Sequence, residues 1–333
     1  MKKISSLLVT GGAGFIGSHV AKKLIELNKN VLIIDDLSGG FIDNIPVGAN
    51  FIEGSILDVP LLESIFQQYE ITHIYHLAAY AAEGLSHFIK KFNYNNNLIG
   101  TVNLINKAVN YNVKCFIFTS SIAVYGSNKL PYTEELVPQP EDSYGIAKYA
   151  AEMELKASKE MFDLNFIIFR PHNVYGENQN IGDKYRNVIG IFMNNILQNK
   201  QMPIFGDGSQ TRAFSYIDDV ATSIAHSGFM SSAYNEIFNI GADKPYSIKT
   251  LATEIANVMN VKLDIKHLKQ RNEVLNAYST HGKSKKYFGH LMQGTDLVSG
   301  LTLMAKWVKK IGSRQSSEFK NIEIIKNLPD TWR

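Results

Sequence analysis

Residues 7–24 read LLVTGGAGFIGSHVAKKL. The opening LLVT has the aliphatic and β-branched character of a buried strand, while SHVAKKL spaces its apolar residues for one face of a helix. Between them, glycines satisfy two overlapping patterns: G-x-G-x-x-G through Gly12, Gly14 and Gly17, and G-x-x-G-x-x-G through Gly11, Gly14 and Gly17. A strand that turns at once into a helix needs glycines because the turn is tight and the backbone must approach both a ligand and the helix. The helix N-terminus that follows offers free N–H groups and the positive end of a dipole, which suit a pyrophosphate. A glycine triad alone is a weak signal. Flanked by this strand and this helix, it predicts a dinucleotide site at Gly11, Gly14, Phe15, Ile16 and Gly17.

The next apolar run, NVLIID (30–35), ends in Asp35, near where a ribose-binding acid is expected. A carboxylate there hydrogen-bonds ribose hydroxyls and repels a 2'-phosphate, which favours NAD over NADP. Asp36 is either part of the same site or a solvated loop acid. In EGSILDV (53–59), Asp58 either accepts from an adenine amino group or caps the following helix. ISSLLVT (4–10), NFIEGS (50–55), HIYHLAA (73–79) and VKCFIFTSS (113–121) read as further strands; segments 15–28, 59–69, 95–111 and 143–162 read as helices. With NFIIFR (165–170) after the last helix, the alternation predicts right-handed crossovers and an α/β fold, a doubly wound parallel (Rossmann) sheet over 1–170. Beyond RPHNVYG (170–176) the regularity breaks into loops and helices. Residues 171–333 are expected to form a smaller, mixed α/β region that is mainly substrate-binding, with some segments returning to the sheet.

A chain of 333 residues, 45% of them hydrophobic, can bury a substantial core. Lys and Arg number 34 against 31 Asp and Glu and are dispersed, which argues against nucleic acid or a membrane surface as the main partner. The single cysteine, Cys115, lies in the apolar run CFIFTSS and reads as a buried small hydrophobe. The opening MKKISSLLVT runs into a glycine loop instead of a cleavage site, and no later segment reaches the roughly 18 apolar residues of a membrane span. A cytoplasmic protein is expected. His73, His76 and His87 lack paired metal-ligand spacing, so no metal site is predicted.

In EDSYGIAKYAAEME (141–154), Tyr144 and Lys148 stand one turn apart on a helix face. Alone, the pair reads as surface decoration. Together with the glycine loop, HLAA (76–79), FTSSIAVYG (118–126) and YGIAK (144–148), it makes the chain resemble the extended short-chain dehydrogenase/reductase family. The likeness is strongest to the nucleotide-sugar epimerase branch and runs to about Gly289. It implies NAD as cofactor, with Ala78 beside it, and a nucleotide-diphosphate sugar as substrate. Tyr144 is then the acceptor of a sugar hydroxyl proton. A phenol with a pKa near 10 is a poor base at neutral pH, so Lys148 and oxidised nicotinamide are expected to favour its anion. Lys148 would also hold the nicotinamide ribose. Ser121 would hydrogen-bond the same sugar oxygen, with Ser120 as the competing candidate one position away. The family's 4,6-dehydratases carry an Asp-Glu pair after this strand. Here Ser121, Ile122 and Ala123 stand in its place and cannot move those protons, which disfavours a dehydratase.

The same resemblance assigns Asn173, in RPHNVYG, and Arg212, in IFGDGSQTRAFSYIDDV (204–220), to the substrate diphosphate, with Arg271, in KQRNEVLNAYST (269–280), as a second guanidinium. Planar forks suit paired phosphate oxygens. Phe205 either borders the base, uracil for example, or belongs to the core. Tyr278 aligns near the position that limits the carbon 2 substituent, which favours unacetylated sugars. Several positions depart from the family. Ala213 replaces an Asp and is expected to loosen the support of Arg212. RNE (271–273) replaces RPGE, and an expected Asp is missing from AYSTHGKSK (277–285), both pointing to a remodelled substrate loop. AYAAEG (79–84) lacks the lysine of many hexose 4-epimerases, so contact with the sugar on that side is expected to differ; no basic group is evident near GENQN (176–180), which favours a hexose over a hexuronate. The asparagines of NYNNNLIGTVNL (93–104) are expected to pack a helix and position a loop; the family pairs this helix with the one bearing Tyr144 in a homodimer. The resemblance thus implies an isomerase: an NAD-dependent 4-epimerase of a nucleotide-diphosphate sugar, UDP-hexose favoured, working through a transient 4-keto sugar. The alternatives are a uronate 4-epimerase, 3,5-epimerase, decarboxylase or 4-keto reductase and, from another class, a non-catalytic dinucleotide sensor.

Overall fold

A computed structural model of the chain describes residues 3–270, 275–315, 319–329 and 332. The first strands are β1 (Ile4–Thr10), β2 (Val31–Asp35), β3 (Asn50–Glu53), β4 (Tyr69–His76), β5 (Cys115–Thr119) and β6 (Phe166–Pro171). Four short ones follow, β7 (Val174–Tyr175), β8 (Met202–Phe205), β9 (Thr211–Ala213) and β10 (Ser215–Tyr216), and then β11 (Glu236–Ile240). A seven-stranded sheet runs in the order β11-β6-β5-β4-β1-β2-β3, with parallel pairing throughout. The C-terminal half does return to this sheet, through β11, which pairs with β6 from Glu236 opposite Ile167 to Ile240 opposite Pro171. Chain order reverses between β1 and β4. The crevice beyond their C-terminal ends is where a sheet of this kind takes a ligand.

Alternation along the strands explains why both faces are covered. Leu7, Val9, Val31, Ile33, Cys115, Ile117, Ile167 and Phe169 point into one apolar cluster. Their neighbours Leu8, Leu32, Ile34, Phe116, Phe118, Phe166 and Ile168 point into another. Cys115 is buried, as its surroundings imply.

The helices of this half are α1 (Phe15–Glu26), α2 (Val59–Gln68), α3 (Glu83–Ser86), α4 (Lys90–Tyr94), α5 (Gly100–Asn110) and α6 (Ser143–Phe162). Helix α6 has the expected bounds because its ends are written locally. The Asp142 carboxylate accepts from the N–H groups of Tyr144 and Gly145, and Asp163 takes the left-handed conformation at the other end. The helix expected at 95–111 instead starts at Lys90 and passes through a π turn at Asn95–Ile99. Its asparagines do position a loop: Asn97 bonds both backbone groups of Tyr80, and Asn93 donates to the Ser143 carbonyl at 2.7 Å.

Further helices are α7 (Val188–Leu197), α8 (Ile217–Ser227), α9 (Ile248–Met259), α10 (Gly282–Phe288) and α11 (Leu297–Ile311), with strands β12 (Pro245–Ser247), β13 (Ile265–Leu268) and β14 (Asn276–Ala277). Strand β9 lies between β12 and β14, and β8 pairs with β13. Among the described residues, no helix is long and apolar enough to cross a membrane.

Candidate active site

The glycine loop occupies the crevice between β1 and β4. Gly11 has φ +71°, and a Cβ there would fall 2.6 Å from the Ala78 nitrogen. A Cβ on Gly17 would fall 2.0 Å from the Gly11 oxygen. One glycine thus lets β1 turn against the end of β4, and the other lets α1 seat on the loop. Gly14 is the N-cap of α1 and no side chain caps it. Phe15, Ile16 and Gly17 therefore open the helix with N–H groups that have no partner within it. Ala78 donates its N–H to Thr10 Oγ1 at 3.2 Å, which closes β4 on β1.

Asp35 is buried, and its two oxygens accept from the Ala13 N–H at 3.0 Å and the Leu37 N–H at 2.8 Å. Burial raises its carboxyl above the ordinary range, against those two N–H groups. Asp36 is exposed and bonds Ser38. Asp58 Oδ1 accepts from the Leu61 N–H at 3.0 Å and so caps α2. A cradle that a Cβ would fill, a helix end without a side-chain cap and an acid held at the end of β2 together fit a dinucleotide.

Tyr144 is 6% exposed and Lys148 1%, so the pair is not surface decoration. Ser121 begins the turn after β5, where its Oγ accepts from the Ala123 N–H at 3.1 Å and its side chain is near enough to the Tyr144 phenol to favour the anion. Ser120 donates instead to Glu152 Oε1 at 2.6 Å. Of the two candidate serines, Ser121 is the one beside Tyr144. Lys148 Nζ donates to the Thr119 carbonyl at 2.8 Å and lies 5.9 Å from the centre of the Tyr144 ring.

Burial dominates the electrostatics of both groups. It pushes the Tyr144 phenol well above its ordinary value, with Glu83 acting in the same direction and the Ser121 side chain opposing. It pulls the Lys148 ammonium down to about 7, against the attraction of Glu152. The chain by itself therefore keeps the phenol protonated. The anion anticipated from the Tyr–Lys spacing requires a further positive charge at the site.

Glu152 and Arg170 form a buried pair that the sequence analysis passed over. Arg170 Nε and Nη2 donate to the two Glu152 oxygens at 2.9 and 2.5 Å, and Nη1 donates to Tyr125 Oη at 2.7 Å. Tyr125 in turn donates to Asn239 at 2.8 Å. The network joins α6, β6, the turn after β5 and β11. Its signal was present: Glu152 follows Lys148 by one turn, and Arg170 ends an apolar strand, where an unpaired charge is not tolerated.

On the C-terminal side, Asn173 has φ +38° and donates from Nδ2 to the Ala213 carbonyl at 3.1 Å. Arg212 Nη1 donates to the carbonyls of Thr211 at 2.9 Å and Leu275 at 2.8 Å. Where Ala213 offers no side-chain acid, backbone carbonyls thus hold Arg212. Ala277 is the β14 register partner of Arg212, which brings Tyr278 next to it. Phe205 lies outside the apolar clusters and lines a small cleft with Gln210, Gln270 and Leu275, the residue whose carbonyl holds Arg212. Asn173, Phe205, Arg212 and Tyr278 are therefore neighbours. Arg271 lies outside the described residues.

A cation missed in the sequence does stand at the site. Arg186 lies 4.6 Å from the centre of the Tyr80 ring, donates to Asp183 at 2.6 Å, and acts electrostatically on Tyr144. Among the described residues, no group of three or more His, Cys, Asp or Glu is placed to hold a metal ion.

Residues 7–241 match the NAD dependent epimerase/dehydratase family. The chain belongs to that family. A putative UDP-glucose 4-epimerase of Methanocaldococcus jannaschii is 36% identical over 308 residues, 91% of this chain and 98% of the relative. A UDP-glucuronate 4-epimerase of Thermodesulfobacterium geofontis is 28% identical over 334 residues, 96% of this chain and 98% of the relative. The solved structure of UDP-glucose 4-epimerase from Thermotoga maritima, with UDP-glucose, aligns with a TM-score of 0.87 at 34% identity, over 92% of this chain and 99% of that one. Membership of the epimerase/dehydratase family bears out the resemblance drawn from the motifs, and with it the Rossmann fold.

Proposed function

We propose that the protein is an NAD-dependent 4-epimerase of a nucleotide-diphosphate hexose, with UDP-hexose favoured. The observation that carries this reading is the meeting of Ser121, Tyr144 and Lys148 next to a glycine loop that fits a dinucleotide. The turn after β5 offers no acid pair for elimination.

Residues 1–170 hold NAD, through Gly11, Gly14, Phe15, Ile16, Gly17, Asp35 and Ala78, with Asp36 and Asp58 toward its adenosine end. Residues 171–333 mainly hold the sugar nucleotide. When bound, NAD supplies the hydride exchange with carbon 4 and a positive charge that favours the Tyr144 anion. Tyr144 accepts the proton of the carbon 4 hydroxyl, Ser121 hydrogen-bonds the same oxygen, and Lys148, anchored on the Thr119 carbonyl, positions the phenol. Asn173, Arg212 and Arg271 keep the diphosphate in place while the 4-keto sugar turns to present its other face. Phe205 borders the base, and Tyr278 limits the substituent at carbon 2. Tyr144 then returns the proton, and the cycle closes without net oxidation.

A second reading is favoured by Arg186, whose guanidinium suits the carboxylate of a hexuronate; one relative is named UDP-glucuronate 4-epimerase. Its pairing with Asp183 already offsets that charge, so the hexose stays ahead. A homodimer through α5 and α6 is proposed as well, since Ile146 and Met153 are exposed two turns apart on α6; sedimentation of the purified protein tests it. Incubation with UDP-glucose, UDP-galactose, UDP-glucuronate and the GDP- and TDP-hexoses, with products resolved by NMR, tests the activity. Formation of no epimer from any of them overturns it.

A further inference from the structure

After α11 the chain comes back across the active-site side of the molecule. The Arg314 guanidinium lies 3.7 Å from the centre of the Phe41 ring, and its carbonyl accepts from the side chains of Asn194 and Gln198. Further on, the Phe319 N–H donates to Tyr185 Oη at 3.1 Å, and its ring meets those of Tyr80 and Phe92 at 5.5 and 4.9 Å. The Glu323 carboxylate accepts from the N–H groups of Lys91 at 2.8 Å and Phe92 at 2.9 Å, in the first turn of α4. Trp332, 5% exposed, packs against Phe88 and Tyr185, and a Cβ on Gly84 would lie 3.1 Å from its ring. These contacts make an apolar cluster separate from the two that flank the sheet.

The segment covered in this way is the wall that leads from β4 to α4, beside Tyr144. Ser86 Oγ accepts from the Tyr144 N–H at 3.2 Å and donates to the Glu83 carbonyl at 2.6 Å. The wall has little local support: α3 has 4 residues, α4 is the frayable start of the helix that runs on through the π turn into α5, and neither has a side-chain cap from its N-cap residue. A helix as short as α3 does not persist on local interactions, and the first turn of α4 has N–H groups to satisfy. The carboxylate that satisfies the start of α4 comes from Glu323, at the far end of the chain and outside the 7–241 segment matched to the family.

We propose that residues 319–329 together with Trp332 are a specificity element of the active site: through Glu323 and Trp332 as positioning residues, they hold the Tyr80–Phe92 wall in the conformation that receives the sugar of the nucleotide-sugar substrate. This inference rests on the sugar-nucleotide reading above. A wall that populates its competent form only in part weakens apparent affinity by that fraction. The glycine loop, Lys148 and the diphosphate-binding arginine are held by other contacts and are unaffected.

The test is steady-state epimerisation of UDP-glucose by the full chain with its bound cofactor, together with the affinity for UDP, which lacks the sugar. In Glu323→Ala, KM for UDP-glucose is expected to rise about fivefold to tenfold, the scale of one lost helix-end cap, while kcat, cofactor retention and UDP affinity stay near wild type. Glu323→Gln, which keeps an acceptor oxygen, restores most of the loss, and Trp332→Ala resembles Glu323→Ala. An unchanged KM, or a loss of UDP affinity equal to the loss for UDP-glucose, overturns the inference. Should the variants fail to fold, hydrogen exchange on wild type decides: the amides of Lys91 and Phe92 slow further with UDP-glucose than with UDP, and equal slowing overturns the proposal. Wild type that epimerises no nucleotide sugar overturns both readings, whereas active wild type with variants of equal KM overturns this one alone.

Discussion

Two walls of the active site meet at Tyr144, and they are built differently. On the sheet side, Tyr144 and Lys148 ride on a helix of 20 residues whose cap, Asp142, is its own neighbour in sequence, above the buried Glu152–Arg170 pair. On the loop side, Glu83 and Ser86 sit on a helix of 4 residues packed against Trp332, and the start of α4 just beyond it is held by Glu323. The first wall carries its instructions locally. The second depends on groups from the far end of the chain. Proton transfer needs fixed geometry and belongs on the first, whereas substrate fit can be tuned on the second without disturbing the base.

Tyr144→Phe strikes the sheet side hardest. It removes the proposed proton acceptor while keeping the ring, and kcat should fall on the order of 10³-fold with cofactor retained and fold intact. Near-normal turnover would transfer the role of base to another group. Next comes Glu152→Ala, which leaves the Arg170 guanidinium buried without its carboxylate and should lower stability by about 3–5 kcal/mol in urea unfolding. Replacing both partners together by Leu and Met should recover most of that. A loss below about 1 kcal/mol would mean that the network is not what holds α6 to the sheet.

Arg212→Ala tests whether the C-terminal half acts on binding alone. If Arg212 grips the diphosphate as proposed, remote from the reacting carbon, KM for the nucleotide sugar should rise by about 10- to 100-fold with a smaller change in kcat. An equal loss in kcat would place the arginine's effect in the transition state.

A last effect concerns pH. Burial brings the Lys148 ammonium to about 7 from an ordinary 10.5. Between these values the folded chain binds fewer protons at this position than the unfolded chain, so its contribution to stability rises with pH through that window and is smallest below about 7. Lys148→Met removes the titration. On protein stripped of cofactor, the stability difference between the two should shift toward wild type as pH rises from about 7 to about 10, and a constant difference would show that the lysine keeps the same charge in both states.

Much of the sheet side was legible beforehand because its determinants lie close together in the chain. The glycine loop has a strand before it and a helix after it, α6 is bounded by Asp142 and Asp163, and the strands alternate toward two cores. The choice between Ser120 and Ser121 was not legible. Successive residues of an extended segment point to opposite sides, and a shift of one exchanges their partners; here Ser120 meets Glu152 and Ser121 meets Tyr144. The support of Arg212 was hidden for a similar reason. A side-chain acid can be searched for in sequence, but the Leu275 carbonyl reaches the guanidinium only because β14 pairs with β9.

By itself, the sequence determined the parallel sheet, the dinucleotide loop and the one-turn spacing of Tyr144 and Lys148, since periodicity, glycines and helix caps act over a few residues. Only the tertiary structure decided which serine faces the phenol, that Arg186 stands at the site, and that the chain's last described residues brace the loop wall. Those outcomes rest on contacts between segments far apart in sequence, where aromatic rings, carbonyls and a single carboxylate find partners that no local pattern announces.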